Sequence, residues 1–91
     1  MNIDATVFTA SGLTQGELAY LCKVSRITVN KWLHGGSVGP KSVPRATRIM
    51  AAIASAVEAK ALPIQVPGAF VAHPKYGHVQ MQLSSILKEY V

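Results

Sequence analysis

The chain has 91 residues and a net charge of +5, with nine lysines and arginines against four acids. This length predicts one domain with a modest core, for which oligomerisation would be a natural source of further buried area. The longest apolar run, around residues 49–57, is far shorter than the ~20 residues of a transmembrane helix, and the lone Cys22 excludes an internal disulfide, so we expect a cytoplasmic protein without a signal peptide.

The charge is distributed unevenly along the chain. Between Glu17 and Glu58 there are six basic residues and no acidic residue, so the net charge of that stretch is +6. Its basic residues are Lys23, Arg26, Lys31, Lys41, Arg45 and Arg48. A block of one sign is typical of a surface that binds phosphate, whereas a surface that is merely soluble mixes both signs.

The N-terminal residues predict a short first helix from about Ala5 to Ser11. Asp4 is a good N-cap, and Gly12 is a typical stop. The predicted apolar face contains Ile3, Val7 and Ala10, and we expect Phe8 to approach the core as well.

A capping box predicts the start of the second helix. Thr14 and Glu17 are three residues apart, so each side chain can bond the backbone amide of the other, and the helix should begin at Gln15 and end at Cys22. Its apolar face contains Leu18, Ala19, Leu21 and Cys22. We expect Cys22 to be an inert packing residue rather than a redox sensor.

Ser25 is the predicted cap of a third helix. The helical spacing buries Val29, Trp32 and Leu33. The opposite face then carries Arg26, Ile27, Thr28, Asn30 and Lys31. Such a mixture of donors, acceptors and one aliphatic side chain suits a surface that reads DNA bases.

After a loop rich in glycine and proline, a fourth helix is predicted from about Pro44 to Ala61. Its broad apolar face is that of a core helix, formed by Ala46, Ile49, Met50, Ile53, Ala54 and Val57. Arg45 and Arg48 stand near its N-terminus, where cations oppose the helix dipole and a phosphate would compensate them.

The stretch from Leu13 to Gly35 resembles the Cro/phage-repressor (Xre-like) helix-turn-helix family, and the resemblance extends more loosely to about Ala61. The positions that match the family pattern are Gln15, Ala19, Val24, Ser25, Val29, Trp32 and Gly35. At the turn, where the family usually has glycine, this chain has Lys23, which should adopt a left-handed conformation.

The resemblance implies an all-α, lambda-repressor-like bundle of about four helices in residues 1–62. It implies a sequence-specific transcriptional regulator, expected to be a repressor associated with the nucleoid of a phage or bacterial system, that binds an inverted-repeat operator in double-stranded DNA as a homodimer. The expected base contacts are Arg26, Ile27, Asn30 and Lys31. The expected contacts with the DNA backbone are Thr14, Gln15, Thr28, Lys41, Ser42, Arg45 and Arg48.

Residues 63–91 are predicted as a linker, bracketed by Pro63 and Pro67, followed by a dimerisation extension. An apolar stripe at helical spacing favours a helix from about Lys75 to Tyr90. The alternative is a β-hairpin in which Ala69–Ala72 pair with the alternating residues after His78. The expected dimer contacts are Phe70, Tyr76, Val79, Leu83, Ile86, Leu87 and Tyr90, with Val71 as a supporting residue.

Other classes of function have weaker support in the sequence. The three histidines have no cysteine or carboxylate at ligand spacing. No serine or cysteine nucleophile stands in a recognisable motif, and the four acids are scattered, so we expect no metal, no cofactor, no small-molecule ligand and no enzymatic activity. The main alternative is the DNA-binding antitoxin of a toxin–antitoxin pair, whose tail would bind the toxin. A pure interaction module is a further alternative, but the acid-free block argues against it.

Overall fold

A computed structural model of the chain, describing residues 2–65 and 68–90, contains five helices and one two-stranded sheet within those residues. The elements are α1 (Ala5–Ser11), α2 (Gln15–Cys22), α3 (Arg26–Leu33), α4 (Val43–Glu58), β1 (Phe70–His73), β2 (Gly77–Gln80) and α5 (Leu83–Lys88). The protein is thus mostly helical, and the all-α prediction is corrected by the sheet. None of these helices is long and apolar enough to cross a membrane.

The first three helices begin where their capping residues predict. The Asp4 side chain accepts from the amides of Thr6 and Val7, at 3.0 and 3.2 Å. The Thr14–Glu17 capping box is complete, with both bonds at 3.1 Å. These local bonds satisfy helix-terminal amides that have no partner within their own helix.

The turn between α2 and α3 has the left-handed residue that the sequence predicts. Lys23 has a φ of 59°, and the Val24 amide donates to the Ala19 carbonyl at 3.1 Å. The Lys23 ammonium lies 4.5 Å from the centre of the Tyr20 ring, a cation–π contact that offsets part of the backbone strain. Ser25 then caps α3 through the Thr28 amide at 3.1 Å.

The core lies between α4 and the three shorter helices. Leu18, Val29 and Ile53 are fully buried at its centre. Ala19 is also fully buried, and its small side chain lets α3 cross α2 closely. The fourth helix ends at Glu58 rather than Ala61, because Lys60 adopts a left-handed φ of 62° and the Ala61 amide turns back to the Ala56 carbonyl.

The prediction of one helix from Lys75 to Tyr90 is wrong, and the alternative hairpin is confirmed. β1 and β2 are antiparallel, with Val71 opposite Val79. Val79 in β2 and Leu83 and Leu87 in α5 are all buried, although they belong to different elements. Their four-residue spacing therefore imitates one helical face. Pro67, the predicted end of the linker, lies outside the described residues.

The hairpin and α5 complete the same hydrophobic cluster as the first four helices. The Gln80 amide donates to Oε2 of Glu17 at 3.2 Å, which fixes β2 to α2. The Tyr20 ring contacts those of Tyr76 and His73, with centroid distances of 5.7 and 5.1 Å. The predicted division into residues 1–62 and 63–91 thus falls between two segments that share one core.

Gly16 allows the hairpin to approach α2. A Cβ atom at Gly16 would lie 1.9 Å from the Tyr76 carbonyl oxygen, so Gly16→Ala must displace backbone. We expect this change to lower the free energy of unfolding by about 1–3 kcal/mol, as overpacking does, although alanine is normally the better helix former. Chemical denaturation measures the effect. Gly39→Ala is the control, because no atom lies within 4 Å of its added Cβ; equal stabilities of the two variants would contradict the contact.

Candidate nucleic-acid interface

The outer face of α3 is a polar surface with one exposed aliphatic residue. Arg26, Ile27, Asn30 and Lys31 are all exposed, whereas Val29 on the inner face is fully buried. The Ile27 side chain is 71% exposed, so it contributes little to the core. A large aliphatic side chain between cations and an amide is available for contact with another molecule.

The start of α2 joins this face. Gln15 Oε1 accepts from Asn30 Nδ2 at 3.3 Å. Gln15, Arg26, Ile27 and Asn30 together line a shallow groove. The structure thus brings three predicted base contacts and one predicted backbone contact to a single surface.

The two threonines of the predicted site are both engaged in local capping. The Thr14 hydroxyl accepts from the Glu17 amide, but the residue is exposed and lines a second cleft with Arg26. The Thr28 hydroxyl lies 2.8 Å from Ser25 Oγ. Both residues lie at helix N-termini, where amide groups and the helix dipole favour an anion.

The remaining predicted backbone contacts are dispersed. Lys41 is exposed and Ser42 half-buried in the turn before α4, and Ser42 does not cap that helix with its side chain. Arg45 lines a groove with Lys23 and Lys88, at the C-terminal end of α2. Arg48 is exposed on α4. Arg45 is therefore at the opposite end of α2 from Gln15.

The predicted dimer contacts divide by burial. Val79, Leu83 and Leu87 are buried in the chain's own core, so they have no surface to offer a partner. The half-buried contacts are Tyr76, Ile86 and Tyr90. Phe70 is 51% exposed on β1. Only part of the predicted stripe is thus available to a second chain.

Met81 is a surface residue that the sequence analysis missed. It is 62% exposed, directly after β2, and its amide donates to the Ala69 carbonyl at 3.0 Å. With Phe70 and Val71 it forms the set of exposed apolar residues on the hairpin. The alternation of Val79, Met81 and Leu83 with glutamines could have indicated it, had the strand been preferred to the helix.

The described residues, 2–65 and 68–90, contain no group of three or more His, Cys, Asp or Glu side chains that could hold a metal ion. The histidines have separate surroundings. His34 Nδ1 lies 2.8 Å from the Asn30 carbonyl oxygen, His73 stacks on Tyr20, and His78 contacts the Phe70 ring. These contacts show packing and hydrogen-bonding roles for the imidazoles.

Comparisons with known proteins add no assignment. No family model, no curated protein and no solved structure matches the chain. The resemblance to the Cro/phage-repressor family therefore remains a prediction from the sequence.

Cys22 is the last residue of α2 and is buried. Burial raises the pKa of its thiol from 9.0 to about 11, and the nearby Arg45 guanidinium opposes that rise. The thiolate is the reactive form of cysteine. A pKa this high favours the packing role over redox sensing.

We expect Cys22 in the folded protein to react with iodoacetamide only slowly at neutral pH, and faster as the pH rises towards 11. The raised pKa also means that its contribution to stability is complete below pH 9 and is lost between pH 9 and about 11. Mass spectrometry of the alkylated chain measures the rate, and the urea-unfolded chain is the control. Equal rates in folded and unfolded protein would contradict a buried thiol.

Proposed function

We propose that the chain is a sequence-specific DNA-binding regulator of transcription, with α2 and α3 as a helix-turn-helix and α3 as the recognition helix. The observation that supports this most directly is the exposed face of α3, where Ile27 stands between Arg26 and Asn30. The acid-free stretch from Lys23 to Arg48 adds the positive charge that DNA phosphates attract. We expect the protein to act in the cytoplasm, as a repressor.

The recognition helix fits the dimensions of DNA. The major groove is about 12 Å wide and admits one α-helix. In this arrangement Arg26 would bind guanine through two hydrogen bonds, Asn30 would bind adenine, and Ile27 would contact a thymine methyl group. Lys31, one residue beyond Asn30, would bind guanine or a phosphate.

The start of α2 would lie against the DNA backbone. Thr14 and Gln15 stand at its first turn, where amide groups and the helix dipole attract phosphate. The bond between Gln15 and Asn30 links this turn to the recognition helix. It would hold the Asn30 amide in one orientation before DNA binds, which lowers the entropy cost of binding.

The decisive experiment compares Arg26→Ala with Lys41→Ala on operator and random DNA over a range of salt concentrations. A bidentate base contact contributes about 1–3 kcal/mol of discrimination, so we expect Arg26→Ala to lose preference for the operator. Lys41→Ala should weaken binding to both DNAs alike, because phosphates are the same in every sequence. Fluorescence anisotropy measures the affinities.

For the wild-type chain, the logarithm of affinity should fall linearly with the logarithm of salt concentration, with a slope near −0.9 for each phosphate neutralised. A response independent of salt would contradict the proposed function. If Arg26→Ala instead weakens operator and random DNA equally, then Arg26 is a backbone contact.

The proposal includes a homodimer, since two recognition helices must lie about 34 Å apart to read both halves of an inverted repeat. In the described residues β1 pairs with β2 alone, so its other edge is open. An open edge strand is a template for pairing with another chain. Phe70, on the face of β1 opposite to Val71 and the buried Val79, adds exposed apolar surface beside it, and a second copy would bury that surface.

We expect Phe70→Ser to convert the dimer to a monomer at micromolar concentration, because it removes exposed apolar area beside the open edge. Ile27→Ser is the matched control, since it also removes an exposed large apolar side chain but lies on α3. That control should remain a dimer and lose affinity for the operator. Sedimentation velocity gives the mass of each variant. A Phe70→Ser chain that remains dimeric would place the interface on another surface.

The same exposed surface favours one second candidate, the DNA-binding antitoxin of a toxin–antitoxin pair. A different protein would bury Phe70 and the open edge of β1 in place of a second copy. Under this alternative α3 would still bind DNA, and the hairpin would bind the toxin. A protein that co-purifies with the chain and is lost from Phe70→Ser would identify this case.

A further inference from the structure

The turn of the hairpin lies next to the recognition helix. A Cβ atom at Gly77 would lie 3.7 Å from Nη1 of Arg26. Thr14, Arg26, Gly77 and His78 contribute to the lining of one cleft between the turn and the start of α2. The C-terminal segment, which the sequence analysis assigned to dimerisation, therefore reaches the surface proposed to bind DNA.

The hairpin is attached firmly in this position. Its Tyr76 carbonyl rests on Gly16, and the Gln80 amide donates to the buried Glu17 side chain. The turn itself is closed by a bond of 3.2 Å from the Tyr76 amide to the His73 carbonyl. Groups on this turn are thus held in place before any partner binds, so that binding orders little additional chain.

The turn is also basic. Lys75 occupies a central turn position and is exposed, and His78 is exposed at the start of β2. Residues 68–80 contain no aspartate or glutamate, so no acid of the hairpin opposes the Lys75 charge. An exposed cation on a turn whose backbone is fixed beside a DNA-reading helix is suited to phosphate.

We propose that this turn is a second DNA-contacting element, in which Lys75 binds a backbone phosphate at the edge of the groove that α3 occupies, and His78 lies alongside. The inference rests on the proposed function. With α3 in a groove about 12 Å wide, an element in contact with Arg26 must meet the strand that borders the groove. Phosphates follow each strand every ~3.4 Å, so one lies within reach of Lys75.

The test compares Lys75→Ala with Lys88→Ala as a matched control. Lys88→Ala removes the same charge from α5, where Lys88 lines a groove with Lys23 at the C-terminal end of α2. We expect Lys75→Ala to weaken binding to operator and to random DNA equally. At 0.1 M salt the loss of affinity should be about eightfold, because one phosphate contact contributes ~0.9 logarithmic units for each tenfold dilution of salt below 1 M. Its salt slope should be smaller in magnitude by ~0.9. Lys75→Arg should restore both values, and Lys88→Ala should resemble the wild type.

Phosphate ethylation interference provides a second measurement. Among the interfering phosphates of the wild-type complex, we expect one in each half-site, beside the groove, to be lost with Lys75→Ala, while the others remain. If Lys75→Ala and Lys88→Ala have the same affinity, salt slope and interference pattern, the turn does not bind DNA, although the proposed function stands. If the wild type shows no salt-dependent DNA binding, the proposed function fails and this inference fails with it.

Discussion

The side chain of Glu17 is the junction on which the arrangement of α2 and the hairpin depends. It is only 2% exposed, and each of its carboxyl oxygens accepts one backbone amide. Oε1 accepts from Thr14 and completes the capping box, whereas Oε2 accepts from Gln80 in β2. A buried carboxyl group without partners would cost several kcal/mol, so the two bonds require the helix start and the strand to be in place together.

Small residues on α2 make this junction possible on two sides. Gly16 lets the Tyr76 carbonyl approach the helix backbone, and Ala19 lets α3 cross nearby. Each of these helices has only eight residues, a length at which an isolated helix is marginal in water. Their stability must therefore come from packing, and close approach increases the number of dispersion contacts that each residue makes.

The parts of the fold that could be predicted from the sequence are those set by local bonds. Asp4, Thr14 and Ser25 mark three helix starts because each cap bonds an amide within three residues. The position of the hairpin against α2 could not be predicted in this way, because it depends on bonds between residues far apart in the sequence. Oε2 of Glu17 meets an amide that lies 63 positions further along the chain, and no spacing rule shows that bond.

The same limitation applies to the candidate site. Helical spacing alone placed Arg26, Ile27 and Asn30 on the outer face of α3, because α3 is a regular helix with a clear inner face. Helical spacing could not predict which surface Arg45 lies on, because the direction of a residue in the first turn of α4 depends on how α4 packs against α2 and α5. Only the tertiary structure shows that Arg45 lies near Cys22 and Lys88.

The burial of the C-terminal residues changes where a partner chain can bind. A protein of this size has a small core, and the described chain uses Val79, Leu83 and Leu87 to close it over α2 and α4. Those residues could serve a dimer only if the extension left its own core, which would uncover the apolar faces of α2 and α4 that β2 and α5 contact. A dimer contact must then come from apolar groups that the core does not use, and the hairpin presents Phe70 outward, on the face opposite to Val79. The hairpin therefore has three separate surfaces: Val79 faces the core, Phe70 and the β1 edge face outward, and the turn at Lys75 lies beside α3.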